Sequence, residues 1–432
     1  MVRFLTRKTG HPQRKALNHR IVAGLDIGTC FIRTVIAEVD SDDKVEIIGV
    51  SKVPSQGVRN GVIVNVEAAM NSIRESIEAA EQQAGVLVTY VFTDIGGSQV
   101  ETMNSTGTAI VDTRGRNQPM EIGVDAKMRA IESGNAVLIP FDKIRLTVIP
   151  QEFYVDDTLY PDPIGIKGVR LDVKTHLVSA SRTALENIRQ CILRAEYNVD
   201  LDHTCLKTLA ISRACAYDDE IDLGSIIIDL VGGTTDVMVL NKGAPVFTTS
   251  IPAGGNRVTN DIAQVMGVPF AVAEKLKLDY GTAWLFGGED REEVIIPGIG
   301  NLPPEQSNRE VLSEIIQARL EEILNMAREA VIKGSNLKHL NGSIILTGGG
   351  ALMNGIVELT QNVWKTTAVR LGQASELGEV DLPYRSPEFA TCVGIVLVNK
   401  KVNPNGTSGT RATSGVSEGA MGKLKKILKK FC

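Results

Sequence analysis

Two stretches of this chain, about 200 residues apart, repeat one pattern: an apolar strand, a tight turn opened by aspartate, and two further strands. The first runs IVAGLDIGT, FIRTVIAEV and VEIIGVSKV, and the second is GSIIIDLVGGTTDVMVLNKGAPVFTTSI. In both, apolar runs alternate with turn residues in the manner of a β-meander. A meander repeated at that distance marks a duplicated domain, and two halves imply two lobes with a cleft between them. Length agrees, since 432 residues exceed what a single hydrophobic core usually organises.

Composition narrows the function. Hydrophobic residues at 43% and charged residues at 22% describe an ordinary globular chain with a large core. A formal net charge of −5 opposes general affinity for nucleic acid, which needs a basic surface. Cys30, Cys191, Cys205, Cys215, Cys392 and Cys432 have no CxxC spacing, the pattern of reduced thiols in a cytosolic compartment rather than of zinc or disulfides. The basic start MVRFLTRKTGHPQRKALNHR lacks the continuous apolar stretch of a secretory signal, and no segment approaches 18 uninterrupted apolar residues, so a chain neither exported nor membrane-spanning is expected.

Along the chain, residues 1–20 read as a basic leader and 21–97 as the first part of the first lobe, with a helix over 66–83 that keeps Ala68, Ala69, Ile73, Ile77 and Ala80 on one face. Residues 98–167 change character, with polar strands and a helix near 124–133, and read as an inserted subdomain. The first lobe is expected to resume over 168–204, with strand VRLDVKTHLVSAS and a helix over 182–196. The second lobe is assigned to 205–280 and 341–385, with helices over 205–217, 255–266 and 269–280 and from 351. It carries a variable subdomain over 281–340 that holds the strand EEVIIPG and a long helix over 309–333. A helix in 386–400 is expected to pack on the first lobe, followed by a Gly/Ser/Thr-rich linker over 401–418 and a terminal helix over 419–432.

Three glycine turns carry the chemistry. Asp26-Ile27-Gly28-Thr29 ends a buried strand, where Gly28 lets backbone N–H groups approach an anion. Asp229-Leu230-Val231-Gly232-Gly233-Thr234-Thr235-Asp236 holds the matching place in the second meander. Thr347-Gly348-Gly349-Gly350 ends a third apolar strand, where small residues admit a flat base and ribose. Each motif alone is an ordinary turn; their order and placement make chance agreement improbable.

This set resembles the superfamily of actin, sugar kinases and heat-shock chaperones. The resemblance implies an α/β fold of actin/ribonuclease-H-like duplicated type, two lobes around a nucleotide cleft, with ATP and Mg²⁺ as cofactors. It implies that Asp26, Gly28, Thr29 and Cys30 and, opposite, Gly232, Gly233, Thr234 and Thr235 hold the phosphates, and that Gly348, Gly349 and Gly350 hold adenosine. Asp26 and Asp229 would face Mg²⁺ across its water shell. Arg33 stands where the superfamily often places a basic residue at the phosphates; a surface charge on an edge strand is the alternative. Glu274 and Lys277 in AEKLK match ribose and adenine contacts, although a helix salt bridge has the same spacing. Gly255 and Asn256 would lie near the nucleotide too.

Further segments are similar to the FtsA family of bacterial cell-division proteins: VIPQEFYVD (148–156) with GVRLDVKTHLV (168–178), the inserted stretch itself, and AGGNRVTNDIA (253–263). The tail adds a geometric argument. At about 100° per residue, Met421, Leu424, Ile427, Leu428 and Phe431 share an arc of roughly 120°, and Lys423, Lys425, Lys426, Lys429 and Lys430 take the remainder. Such a face suits an anionic membrane surface, with a helix packed on protein as the alternative. Each lysine contributes on the order of 1 kcal/mol near an anionic leaflet, offset by about 1 to 2 kcal/mol per residue of backbone ordering. One tail therefore binds weakly, and several on one polymer bind with avidity.

The resemblance implies an adaptor that forms filaments with itself, tethers FtsZ to the cytoplasmic face of the membrane at the division site, recruits other division proteins and is at most a weak ATPase. Arg309 and Glu314, in PPEQSNREVLSEIIQARLEEI (303–323), are candidates to hold the C-terminal peptide of FtsZ; as charges at a helix start they equally suit a solvated surface. Two other functions share the phosphate turns: a sugar or acetate kinase, for which Asp229 would be the catalytic base, and an actin-like part of a type IV pilus machine. Neither has a use for the terminal basic helix.

Overall fold

The computed structural model describes residues 19–111, 118–285, 293–296, 305–335, 342–374 and 382–402. Residues 1–18 of the leader, the linker beyond 402 and the helix expected over 419–432 lie outside them.

The first lobe opens with strands β1 (Arg20–Ile27), β2 (Phe31–Val39) and β3 (Val45–Pro54), an antiparallel meander. Helix α1 (Val66–Ala84) follows, its start held by the Asn65 side chain, which accepts from the N–H groups of Glu67 and Ala68. Gly85, at φ +68°, closes it in the left-handed conformation that glycine adopts without cost. Strand β4 (Phe92–Ile95) then pairs parallel to β1.

The insertion is built from β5 (Val100–Ile110), helix α2 (Val124–Asn135), and strands β6 (Lys143–Val155), β7 (Thr158–Tyr160) and β8 (Arg170–Ser181). Its sheet runs β7-β6-β8-β5, and α2 covers it through Ala126, Ala130 and Ile131. This corrects the expectation that 168–204 returns at once to the first lobe. Strand β8 pairs along its whole length with β5 and β6, so it lies inside the inserted sheet. Its alternating pattern suits either sheet, and only pairing decides between them.

The chain returns through α3 (Arg182–Arg194) and β9 (Cys205–Leu206), which pairs parallel to β4 and completes a first sheet ordered β3-β2-β1-β4-β9. Cys205 and Leu206 are therefore the last strand of the first lobe rather than the start of the second-lobe helix expected over 205–217. Helix α4 spans only Lys207–Cys215. The second sheet uses β10 (Ile226–Leu230), β11 (Thr235–Asn241) and β12 (Ala244–Ile251). Helices α5 (Gly255–Val265), α6 (Phe270–Tyr280) and α7 (Arg309–Gly334) follow, then β13 (Ile344–Thr347), α8 (Ile356–Trp364) and β14 (Val369–Leu371). Its order, β12-β11-β10-β13-β14, repeats that of the first sheet, three antiparallel strands followed by two parallel ones. A 3₁₀ turn over Gly349–Leu352 replaces the start of the helix expected from 351, and another over Pro387–Phe389 precedes the last helix, α9 (Ala390–Asn399).

Side-chain alternation assigns each sheet two buried faces. In β2, Val35, Ala37 and Val39 point to a central core while Ile32 and Ile36 point outward, under α1 and α3. In β10, Ile227 points to the same central core and Ile226 and Ile228 point outward, under α5 to α8. Helices α4 and α9 fill the space between the sheets, packed so closely that a Cβ on Gly394 would stand 1.9 Å from the Ala210 carbonyl oxygen. The helix in 386–400 thus packs on β1 and β2 and equally on α4. The insertion rests on the edge strand of the second sheet: Thr102 Oγ1 donates to the Thr248 carbonyl at 2.9 Å and Gln151 Nε2 to that of Pro245 at 2.8 Å.

Candidate nucleotide cleft

Strands β1, β4 and β9 run parallel, as do β10, β13 and β14, and the polar residues of the cleft gather at or beside their carboxyl ends. Those ends are Asp26 on β1, Asp94 on β4, Lys207 just after β9, Asp229 on β10 and Thr347 on β13. A parallel sheet aims successive strand ends at one line, which is why residues 26 to 347 meet there.

All three turns of the sequence converge. Thr347 Oγ1 donates to Asp229 Oδ1 at 3.2 Å, and a Cβ on Gly348 would stand 2.6 Å from that same oxygen. Gly348 needs to be glycine, with φ +81° and Leu230 carbonyl oxygen 2.4 Å from where a Cβ would be. Across the cleft the first and second turns touch. A Cβ on Gly232 would meet Cys30 Sγ at 2.2 Å, and one on Gly233 would meet Thr29 Oγ1 at 2.8 Å. Cys30 Sγ donates to Asn256 Oδ1 at 3.3 Å, and the Asn256 N–H donates to the Gly232 carbonyl at 2.8 Å. Burial pushes the Cys30 thiol up, and Glu274 adds to it, so this cysteine is a neutral spacer rather than a nucleophile.

Arg33 is buried at 7% exposure, which removes the surface-charge alternative. Its register partner on β1 is Asp26, with Nη1 3.6 Å from Oδ2, and its Nη2 donates to Glu388 at 3.0 Å. The same guanidinium lies 3.9 Å from the Cβ positions of both Gly28 and Gly349, so it spans the first and third turns. Glu274 and Lys277 do form the intrahelical salt bridge, at 2.7 Å, and also tie α6 to α5. Lys277 Nζ donates to Thr259 Oγ1 at 2.9 Å and lies 3.6 Å from the Cβ position of Gly255, which borders Gly232. Arg309 and Glu314 stand apart from the cleft: Arg309 Nε donates to the Tyr280 carbonyl at 2.9 Å, and Glu314 is exposed on α7.

Three further residues of the cleft lie outside the nucleotide contacts expected from the motifs. Asp94 precedes Ile95-Gly96-Gly97 and so repeats the Asp-Ile-Gly pattern of the first turn, a signal present in the sequence. Asp236 closes the second motif and is buried; desolvation raises its pKa to about 6, with Asp229 adding to the rise. Lys207 has no sequence signal at all.

Glycines at the points of closest approach, backbone donors on two facing turns and Arg33 suit a polyphosphate. Buried Asp236 Oδ1 has no hydrogen-bond partner, and Asp229 Oδ2 has only the Lys207 ammonium 3.4 Å away, a polarity that suits a cation. Among the described residues, no group of three or more His, Cys, Asp or Glu side chains gathers to ligate a metal directly. A hydrated ion facing Asp26 and Asp229 agrees with that chemistry, although the ammonium of Lys207 crowds the same space. A cavity of about 530 Å³ lies between the insertion and β12, bordering the second turn through Gly97 and Ser250 and lined also by Glu101, Asn104, His176 and Phe247.

Among solved structures, the chain is similar to the PilM-PilN type IV pilus biogenesis complex, with a TM-score of 0.62 at 16% identity over 88% of this chain and 98% of that one. It is similar also to MreB5 of Spiroplasma citri bound to ADP, with a TM-score of 0.52 at 13% identity over 88% and 96%. At such identities the likeness establishes the fold, an actin-like α/β architecture of two lobes. A family model described as the SHS2 domain inserted in FtsA matches residues 97–179, the span from β5 to the end of β8, and one described as cell division protein FtsA matches 226–394. Cell division protein FtsA of Borreliella burgdorferi is 40% identical over 88% of this chain and 91% of its own length. That of Neisseria meningitidis serogroup B is 34% identical over 94% and 97%. Agreement at this level, along nearly the whole of both relatives and across lobe and insertion alike, places the chain in the FtsA family of cell division proteins.

Proposed function

We propose that this chain binds ATP in the cleft, polymerises, and tethers FtsZ filaments to an anionic membrane surface on the cytoplasmic side at the division site, where other division proteins join it. The observation that carries the nucleotide part is the meeting of Asp26, Asp229 and the Gly348–Gly350 turn at one line of strand ends. Gly28, whose own N–H donates to the Phe31 carbonyl at 3.1 Å, would leave room for the phosphates, and backbone N–H groups of Thr29, Gly232, Gly233, Thr234 and Thr235, with Arg33, would hold them. Gly348, Gly349, Gly350, Gly255, Asn256, Glu274 and Lys277 would hold ribose and base.

Mg²⁺ would arrive with the nucleotide and neutralise phosphate charge, reaching Asp26 and Asp229 through waters.

Membrane attachment is assigned to residues 419–432, whose apolar arc and five lysines form an interfacial face. No helix among the described residues is long and apolar enough to cross a membrane. Partner binding is assigned to Arg309 and Glu314 at the start of α7, where Glu314 is exposed and Arg309 Nε donates to the Tyr280 carbonyl. The test is co-flotation with anionic vesicles, ATP and the FtsZ tail peptide, comparing the full chain with one that ends at 418. Truncation is expected to abolish lipid binding and to spare ATP binding; flotation unchanged by truncation would sink the tether.

A further inference from the structure

Lys207 opens α4 at the inner end of the cleft, 7% exposed, with Nζ 3.6 Å from Asp26 Oδ1 and 3.4 Å from Asp229 Oδ2. One of those carboxylates belongs to each lobe. Asp94 and Asp236, both buried, add two more acids around the same ammonium. Burial alone would push the lysine's pKa down; Asp26, Asp229, Asp94 and Asp236 outweigh it and hold it well above its ordinary value. Burial likewise raises Asp94, and Asp26 adds to the rise. The first turn of a helix disfavours a cation, because the macrodipole is positive there. Lys207 is therefore held by the aspartates against the preference of its own helix.

Its position is where a divalent ion would stand. A hydrated Mg²⁺ holds waters at about 2.1 Å, and each water reaches a carboxylate about 2.8 Å further on, so the ion lies roughly 4 to 5 Å from both acids. The ammonium, at 3.4 and 3.6 Å, fills that same gap between Asp26 and Asp229. A second cation in that gap would meet the repulsion of the ammonium, and the lysine is covalently present at every moment.

We infer that Lys207 is a resident cation that takes the place of the divalent ion between the two cleft aspartates, so that this chain binds ATP with little need for Mg²⁺. The inference rests on the nucleotide reading above and changes the part played there by Mg²⁺, from requirement to accessory. Removing Lys207 should restore the requirement, because Asp26 and Asp229 are then left facing the phosphates with no cation between them.

The experiment is calorimetric titration of the full chain with ATP, once in Mg²⁺ and once in EDTA. Wild-type affinities in the two buffers are expected to agree within about threefold. Lys207→Gln is expected to lose at least tenfold in EDTA relative to Mg²⁺, and Lys207→Arg to stay tolerant of EDTA. A tenfold or greater loss for the wild type in EDTA overturns the inference, as does a Lys207→Gln chain that keeps its EDTA affinity. Absence of ATP binding in both buffers instead removes the nucleotide reading itself. Should Lys207→Gln fail to fold because its aspartates are left unpaired, Lys207→Gln with Asp94→Asn withdraws one acid along with the cation, and the wild-type comparison still decides.

Discussion

Gly348 sits where three elements of the cleft meet, and replacing it with alanine separates backbone strain from crowding. Its φ of +81° and ψ of 173° lie in a region that is essentially glycine's alone, so an alanine there costs about 1 to 3 kcal/mol in strain. Its Cβ would also stand 2.4 Å from the Leu230 carbonyl oxygen and 2.6 Å from Asp229 Oδ1. Neither neighbour yields readily: one is backbone in the middle of the second sheet, and the other is 1% exposed and held by Thr347. Overpacking of that kind adds about 1 to 3 kcal/mol, for a total of roughly 2 to 6 kcal/mol. Gly267 is the control, with φ +64° and no atom within 4 Å of its Cβ position. Gly267→Ala then carries only the left-handed penalty of about 1 to 2 kcal/mol. The assay is urea unfolding followed by tryptophan fluorescence, since Trp284 and Trp364, the chain's two tryptophans, both pack on the second-lobe core. Gly348→Ala should unfold at distinctly lower urea than Gly267→Ala and should bind ATP more weakly. Equal midpoints would refute the crowding argument.

Two further outcomes concern the seat of the insertion on the second lobe. His176 is fully buried, and desolvation lowers its pKa to about 4; Nδ1 faces Asn104 Oδ1 at 2.7 Å and Nε2 faces Thr248 Oγ1 at 3.3 Å. Because Asn104 Nδ2 donates to the Val246 carbonyl, Oδ1 accepts from Nδ1–H, and Nε2 is left to accept from the threonine. A depressed histidine stabilises the fold above its unfolded pKa of about 6.5, and that stability is lost as pH falls toward 4, by about 3 kcal/mol. Deuterium exchange along Ala244–Ile251 should quicken over that window, and His176→Gln should blunt the change. Glu152 bridges Lys174 and Lys242; burial would raise its pKa, but hydrogen bonds from Lys242, Lys174 and Tyr154 outweigh that and hold it at about 2. Its stabilisation is present above the ordinary glutamate range and fades as pH drops from about 4.5 toward 2. With both lysines largely exposed, Glu152→Gln should cost only about 1 kcal/mol in urea unfolding at pH 7, and a loss of several kcal/mol would show that the bridge is more shielded than its exposure implies.

Much of this molecule is legible in its sequence. The two meanders, their aspartate turns and the Gly348–Gly350 turn follow from local patterns of period two and from glycine's freedom at turns, which nearby residues determine. Tertiary structure alone decided which sheet each strand joins, because alternation looks the same in β8, which closes the insertion, as in the core strands. It also brought Asp94 and Lys207 to the cleft, since residues 26, 94, 207 and 229 become neighbours only when parallel strands set their carboxyl ends side by side. A lone lysine at a helix start carries no local mark of that position. Its meaning comes from the charges that distant parts of the chain place around it.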